Sequence, residues 1–326
     1  MSVLLSLVLG LCAGAAIQPS LRRSPSSSSS LIMRGGFTKK QSGPARPQKA
    51  KKRLTPTSSP DALLRDRHMA AVRDAISSQV PGLLDSLDSR GFAVCDNFLP
   101  PDTVLEMLKE ADSLRTRQKM VASQSSRWNE TLGKVERYEK RNVLSTNIVG
   151  GESYFDAPRL TEYCVTLVSS IPALVNARFP DVSLCERLHT NKLAVCLGDG
   201  SYYDKHYDNS GGGDLRKLTA ILYLQDNWTP ARAGHLRMFL PSSTNASVDA
   251  ELPYVDIEPL GGRLVLFWSD IMVHSVCESF AFSEADHRWA LTVWLHTTDA
   301  SLIKFDDRME ARHFPDLGAS ALGLEG

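Results

Sequence analysis

The segment Tyr203-Asp-Lys-His206-Tyr-Asp208 places an imidazole and a carboxylate two residues apart. In a β-strand, residues two apart point to the same face, so His206 and Asp208 converge on one point if the segment is a strand. One imidazole nitrogen and one carboxylate oxygen are two of the three ligands of the two-histidine, one-carboxylate sites that bind iron(II). The pattern therefore predicts a metal site, provided that a second histidine reaches it from another strand.

A third ligand has to come from a separate strand, and the chain offers eight histidines. His274 follows an apolar segment and a turn, residues 263–270, and begins a short predicted strand, which makes it the best-placed candidate. His235 is the alternative. It begins another predicted strand among apolar neighbours, where a structural histidine with satisfied hydrogen bonds is the more common outcome. We therefore predict a site formed by His206, Asp208 and His274, with His235 as the second choice for the third ligand.

The last predicted strand carries residues suited to binding an anion. With a period of two, one of its faces presents Arg288, Ala290, Thr292 and Trp294. A guanidinium that points into a barrel is costly unless it meets an anion, and its planar shape suits a carboxylate. The hydroxyl of Tyr223, on an earlier predicted strand, is placed to share that anion. The alternative is that Arg288 points outward and pairs with Glu284 or Asp286.

These residues need a scaffold of short strands, and the chain supplies one after residue 190. Gly, Pro, Asn and Asp separate eight predicted strands, at residues 192–197, 203–208, 217–225, 235–240, 254–257, 263–268, 273–277 and 288–296. The earlier part predicts helices over 61–72 and 80–87, from Pro101 and over 157–179, a strand over 92–95 and a long polar loop over 117–155. The pattern predicts an α+β fold in which helices pack on one face of a sandwich or barrel.

Six of these segments together resemble a known enzyme family. They are residues 203–208, 219–224, 234–239, 256–259, 266–270 and 288–294. They are similar to the iron(II)- and 2-oxoglutarate-dependent dioxygenases of the prolyl 4-hydroxylase superfamily, and most closely to the hypoxia-inducible-factor-type prolyl hydroxylases. The resemblance covers residues 80–300 and is strongest after residue 192.

The resemblance implies a double-stranded β-helix, or jelly-roll, core with iron bound by His206, Asp208 and His274. It implies that Arg288 and Tyr223 bind the distal carboxylate of 2-oxoglutarate, and we add Thr292 as a third cosubstrate contact. Fe(II), 2-oxoglutarate and O₂ are the expected cofactor and cosubstrates, with L-ascorbate as the reductant. The expected reaction converts 2-oxoglutarate, O₂ and a prolyl residue of a protein or peptide to succinate, CO₂ and a hydroxyprolyl residue.

Two features depart from the family pattern. Leu197 stands where a tyrosine that contacts 2-oxoglutarate is often found, and residues 278–286 form an extra loop between His274 and Arg288. The alternative functions are a 2-oxoglutarate oxygenase that acts on another residue or a small molecule, and a non-catalytic jelly-roll binding module.

The formal charge of the chain is zero, but the charge is unevenly distributed. Residues 1–60 hold ten Lys and Arg and no Asp or Glu, so the rest of the chain carries 27 basic and 37 acidic residues, a net charge of −10. An acidic body does not attract a phosphate backbone, so we expect no nucleic-acid partner.

The first 60 residues predict targeting rather than a folded core. Residues 3–16 are an apolar run shorter than the roughly 20 residues that span a bilayer, and residues 13–15 fit the cleavage pattern of a secretory signal peptide. We therefore expect no stable membrane span, and a chain that enters the secretory pathway to reach the ER or Golgi lumen or to be secreted. The acid-free residues 17–60 also fit a bipartite plastid presequence.

The predicted organisation has five parts. They are a signal peptide over 1–16, a disordered basic and Ser-rich presequence or linker over 17–60, a helical part of the catalytic domain over 61–190, the jelly-roll oxygenase core over 191–300 and a C-terminal tail over 301–326.

Overall fold

The structure, a computed structural model, describes residues 60–129, 134–211, 213–240 and 252–304. The predicted signal peptide, nearly all of the predicted presequence and most of the C-terminal tail lie outside the described residues. Within them, the helices are α1 (Pro60–Arg90), α2 (Pro101–Thr116) and α3 (Pro158–Arg178).

The strands form two antiparallel sheets. In chain order they are β1 (Phe92–Cys95), β2 (Val121–Asn129), β3 (Lys134–Thr146), β4 (Leu184–Cys196), β5 (Ser201–His206), β6 (Arg216–Tyr223), β7 (Leu236–Phe239), β8 (Tyr254–Ile257), β9 (Leu264–Trp268), β10 (His274–Ser279) and β11 (Arg288–Thr297). The larger sheet has the order β1-β9-β6-β11-β4-β3-β2, and the smaller has the order β5-β10-β7-β8. This arrangement confirms the predicted α+β fold with a jelly-roll core.

The alternation of side chains on β11 separates two hydrophobic cores. Leu291, Val293 and Leu295 point to one face of the larger sheet and pack with residues of the helices. Ala290 points to the other face and packs with residues of both sheets, among them Tyr223 and Val276. The period of two therefore places Arg288, Thr292 and Trp294 on the face that looks into the barrel, as the sequence predicts.

A single helix replaces the two helical segments predicted before residue 90. α1 continues through Pro81, a residue that usually interrupts a helix because it lacks the amide hydrogen. Its buried residues Val72, Ile76 and Leu87 hold it against the core. It ends at Arg90, directly before Gly91, whose φ of +78° suits glycine in a helix-terminating turn.

The polar segment 117–155 differs most from its prediction. It was expected to be a loop, but it contains the antiparallel hairpin β2–β3. β3 also continues the larger sheet, because Val143, Leu144 and Ser145 pair with β4. The part predicted as helical, 61–190, therefore contributes strands as well, and its predicted boundary at residue 190 falls inside β4. The first half of β4 pairs with the end of β11, which joins the two parts into one sheet.

One helix of the described residues, α3, is long and apolar enough to cross a membrane by length and composition alone. Its residues Leu160, Leu167 and Ile171 are fully buried against α1, α2 and the larger sheet. α3 is therefore the core helix of this fold.

Candidate active site

The two predicted histidine ligands lie opposite each other on neighbouring strands. His206 ends β5 and His274 begins β10, and the two are cross-strand partners in the smaller sheet. Asp208 follows two residues after the end of β5. Its Oδ1 lies 3.8 Å from Nε2 of His206 and 3.9 Å from Nε2 of His274. The three ligand atoms all lie within 4.8 Å of one another, so the structure brings the predicted triad together.

Backbone carbonyls fix the tautomers of both histidines. Nδ1 of His206 donates to the carbonyl of Asp204 at 2.7 Å, and Nδ1 of His274 donates to the carbonyl of Met272 at 3.2 Å. A carbonyl only accepts hydrogen bonds, so each Nδ1 carries the proton and each Nε2 presents a lone pair toward Asp208. Burial, and after it His274, lowers the pKa of His206 to about 3, so its imidazole is neutral near pH 7.

The carboxylate of Asp208 is held from behind by a chain of hydroxyl groups. Thr219 Oγ1 donates to Asp208 Oδ2 at 2.7 Å and lies 2.8 Å from Ser269 Oγ. Burial acts to raise the pKa of Asp208, but the adjacent His274 and His206 outweigh it and hold the pKa below its ordinary value. Asp208 is therefore ionised, with Oδ1 directed at the histidines.

Two neutral imidazole nitrogens and one carboxylate oxygen, converging from two elements, fit the donor set that binds iron(II) with open coordination positions. His206 is partly exposed, whereas Asp208 and His274 are buried. One side of the triad is therefore accessible and the other is enclosed by the barrel.

His235, the alternative third ligand, does not join the triad. Its ring packs edge-on against Trp228, with the ring centroids 5.3 Å apart. Of the two candidates, His274 alone lies beside His206 and Asp208.

Arg288 and Tyr223 meet inside the barrel, as predicted. Arg288 Nη2 donates to the Tyr223 hydroxyl at 3.3 Å, and Nε donates to the carbonyl of Gly234 at 2.7 Å. Both side chains are buried. A methyl group added at Gly234 would lie 3.0 Å from Cδ of Arg288, so glycine leaves room for the guanidinium.

The outward-facing alternative for Arg288 is wrong, because the side chain is buried and donates to Gly234 and Tyr223. Both of the proposed carboxylates also have other partners. Glu284 pairs with Arg115, and Asp286 pairs with Arg232. These pairs fasten the extra loop at 278–286 to the surface, and the register of β11 still directs Arg288 inward.

Thr292 lies on the same face as Arg288, two strand positions beyond Ala290. Its cross-strand partners are Lys192 of β4 and Ile221 of β6. The structure places it in the barrel, and its role as a cosubstrate contact stays a prediction.

Two barrel residues escaped the sequence analysis. The first is Cys196, the cross-strand partner of Arg288. Its neighbour Leu197, which the sequence analysis named as a departure from the family pattern, packs beside the helix-facing core instead. The inward position at the end of β4 is therefore held by Cys196.

The second residue is Tyr203, which packs in the barrel although it lies three residues before His206. Alternation would send Tyr203 and His206 to opposite faces. His206 and Tyr203, three residues apart, pair with His274 and Val276, which are two residues apart. β5 therefore carries one extra residue between them, and this bulge turns both side chains inward. Burial, and after it Cys196, raises the pKa of Tyr203, so its hydroxyl stays protonated.

Residues 192–296, which contain the triad, Arg288, Tyr223 and Thr292, match the family model of the 2OG-Fe(II) oxygenase superfamily. The chain contains a 2OG-Fe(II) oxygenase domain. Domains of this superfamily use Fe(II), 2-oxoglutarate and O₂, and the cluster of His206, Asp208 and His274 supplies the matching metal ligands.

Two curated relatives of this oxygenase are named prolyl hydroxylases. The chain is 29% identical over 216 residues to the hypoxia-inducible factor prolyl hydroxylase of Caenorhabditis elegans, a match of 65% of this chain and 27% of that protein. It is 27% identical over 219 residues to the human prolyl hydroxylase EGLN3, a match of 65% of this chain and 81% of that protein. The match spans about a quarter of the first relative and most of the second.

Solved structures show the same fold. A prolyl-4-hydroxylase of Pseudomonas putida superposes on this oxygenase with a TM-score of 0.52 at 24% identity, covering 68% of this chain and all of that one. A Trichoplax adhaerens prolyl hydroxylase, solved with a hypoxia-inducible factor peptide fragment, gives a TM-score of 0.52 at 23% identity, covering 77% of this chain and 99% of that one.

Proposed function

We propose that this oxygenase is a peptidyl-prolyl 4-hydroxylase. The observation that carries the proposal is the pairing of a complete His206–Asp208–His274 cluster with an inward Arg288–Tyr223 pair in one barrel. The names of the curated relatives support a prolyl residue as the target. The overall reaction is 2-oxoglutarate + O₂ + prolyl residue to succinate + CO₂ + hydroxyprolyl residue.

Bound iron, together with 2-oxoglutarate and O₂, supplies the oxidising power for hydroxylation of a C–H bond. The residues of this chain hold and orient the reactants. Nε2 of His206, Nε2 of His274 and Oδ1 of Asp208 would hold the metal, and Arg288 with Tyr223 would bind the distal carboxylate of 2-oxoglutarate. Burial of Arg288 and Tyr223 excludes water from that end, which strengthens the ionic contact.

The hairpin β2–β3 supports an extended peptide as the substrate. β3 reaches β5 next to the triad, where the Tyr138 hydroxyl donates to Asp204 and the ammonium of Lys140 lies 3.5 Å from the centre of the Tyr203 ring. A hairpin in this position can cover a chain laid across the accessible side of the triad. A prolyl segment already favours the extended conformation that such a site needs.

The test is mass spectrometry of proline-containing peptides after incubation with the protein, Fe(II), 2-oxoglutarate, O₂ and L-ascorbate, our proposed reductant. We expect a mass increase of one oxygen on proline, matched by succinate, and no increase with His206→Ala, Asp208→Ala or His274→Ala. Lys109→Met, at an exposed site on α2, is the control and should keep full activity.

Three results would contradict the proposal in different ways. Succinate formed with a lysyl peptide or a free amino acid, but never hydroxyproline, would leave an oxygenase with another substrate. No succinate under any condition would favour the binding module. Full activity of His274→Ala would move the third ligand elsewhere.

A further inference from the structure

Two lysines converge on one aromatic ring beside the triad. Nζ of Lys140, from β3, lies 3.5 Å from the centre of the Tyr203 ring, and Nζ of Lys192, from β4, lies 6.0 Å from the same centre. Both side chains are half-buried. Lys192 also donates to the hydroxyl of the buried Ser123 at 3.0 Å, which holds its ammonium in place. Two elements of the larger sheet therefore direct positive charge to one point.

The positive charges of the two ammonium groups repel each other. Burial, and after it the charge of Lys192, lowers the pKa of Lys140 to about 7. The carboxylates that act on Lys140 from the neighbouring segment, Asp208 and Asp204, have other partners. Asp208 belongs to the triad, and Asp204 accepts a hydrogen bond from Tyr138. Within the described part of the chain, no carboxylate lies at ion-pair distance from Lys140.

The distal carboxylate of 2-oxoglutarate does not account for these cations, because it has a separate partner in the proposed site. Lys192 is the cross-strand partner of Thr292, four residues along β11 from Arg288. At about 3.3 Å per residue, the backbone positions of Thr292 and Arg288 are ~13 Å apart along the strand. The lysines lie near the triad, since the Tyr203 ring that both ammonium groups approach belongs to β5, which ends at His206. They therefore face the region where the primary substrate must approach.

We propose that Lys140 and Lys192 bind an anionic group of the substrate and select a peptide with Asp or Glu next to the hydroxylated proline. The inference rests on the proposed peptidyl-prolyl hydroxylation and names its substrate class. A carboxylate placed between the two ammonium groups relieves their repulsion and forms charge-assisted hydrogen bonds. The chain after residue 60 is acidic overall, with a net charge of −10. The overall charge therefore does not attract an acidic peptide, and the two lysines select it by their position beside the site.

The experiment compares two peptides that differ only in the residue beside proline, Glu in one and Gln in the other. With the holoenzyme we expect kcat/KM for the Glu peptide to exceed that for the Gln peptide at least tenfold. In Lys140→Met and Lys192→Met the preference should fall, and in the double variant it should vanish. Lys109→Met, the exposed-lysine control, should retain it. Lys140→Glu should instead prefer a peptide with Lys at that position.

The outcomes separate this inference from the proposed function. Equal kcat/KM for both peptides, with hydroxyproline formed, would overturn the inference and leave the function standing. A rise in the half-saturating 2-oxoglutarate concentration in the lysine variants, with the preference unchanged, would assign the lysines to the cosubstrate. If neither peptide is hydroxylated, calorimetry with the Mn(II)- and 2-oxoglutarate-loaded protein decides: tighter binding of the Glu peptide upholds the anion site, and equal binding overturns it.

Discussion

The hydroxyl of Thr219 donates a 2.7 Å hydrogen bond to the carboxylate of Asp208 from a different strand of the barrel. Since Asp208 lies beyond the end of β5, this bond fixes the carboxylate that its own strand no longer constrains. Thr219→Val keeps the shape of the side chain and removes the donor. We expect metal affinity to fall by about 10–100-fold, measured by anaerobic titration with Fe(II) or Co(II).

A second buried threonine provides the matched control. Thr297 donates to the carbonyl of Val182 at 2.9 Å and lies outside the site. Thr297→Val should lower thermal stability without changing metal affinity. Equal metal affinities in Thr219→Val and the wild type would contradict a supporting role for Thr219.

Arg288→Ala should weaken 2-oxoglutarate binding while sparing the metal. A buried carboxylate that loses its cation costs roughly 3–5 kcal/mol. At about 1.4 kcal/mol per decade, that is on the order of a hundredfold or more in affinity. The measurement is the half-saturating 2-oxoglutarate concentration for succinate formation, beside a metal titration. Tyr223→Phe, which removes one hydrogen bond of about 1 kcal/mol, should raise that concentration only severalfold.

A buried ion pair joins the turn after β9 to the last described residues. Nζ of Lys217 lies 2.6 Å from Oδ2 of Asp270 and 2.9 Å from the carbonyl of Leu302, and the amide of Lys304 also donates to Asp270 Oδ2 at 2.6 Å. Both side chains are fully buried. Lys217→Met leaves a buried charge without its partner, so we expect the free energy of unfolding to fall by about 3–5 kcal/mol.

Denaturant unfolding of Lys217→Met, Asp270→Asn and the double variant measures the coupling between the two residues. The double variant should lose much less stability than the two single losses together, because neither charge is then left alone. Strict additivity would show that the two residues do not interact energetically in the folded protein.

Because of His68, the fold should be less stable in mild acid than at neutral pH. Its side chain is 7% exposed and Nε2 lies 3.0 Å from the carbonyl of Arg159. Burial lowers the pKa of His68 below its ordinary 6.5, against the opposing effect of that hydrogen bond. The unfolded chain therefore binds a proton at higher pH than the folded chain, and the free energy of unfolding decreases as the pH falls below about 6.5.

One such histidine changes the free energy of unfolding by at most about 1.4 kcal/mol per pH unit. His68→Gln should flatten the dependence of unfolding free energy on pH between pH 6.5 and the lowered pKa. Urea unfolding at a series of pH values measures it. Superimposable slopes for the variant and the wild type would show that His68 does not titrate differently on folding.

The sequence predicted the barrel and its chemistry because both depend on short-range patterns. Alternation on β11 set the direction of Arg288. The two-residue spacing of His206 and Asp208 correctly predicted that they converge, although Asp208 lies beyond the end of β5 and is held by Thr219. The pairing of His206 with His274 depends on the order of strands in the smaller sheet. That order was not predicted, since local patterns do not specify which strands become neighbours.

The hairpin β2–β3 escaped prediction because it lacks an apolar face. Its residues are mostly Ser, Gln, Arg, Glu and Lys, and its strand character comes from backbone pairing within the hairpin and with β4. Lys140 was therefore placed in a loop and given no role in the site. The inward position at the end of β4 was assigned to Leu197 instead of Cys196 for a related reason. The inward side of β4 is set by its register with β11, which the sequence of one strand does not reveal.

The extra residue in β5 changes the spacing that the active site needs along the chain. Tyr203 and His206 face the same cavity because one residue between them is absorbed outside the regular pleat. Removing Asp204 or Lys205 would leave Tyr203 two residues before His206, so regular alternation alone would keep both side chains on one face. The bulge is thus the feature that lets a three-residue spacing along the chain place both side chains in the same cavity.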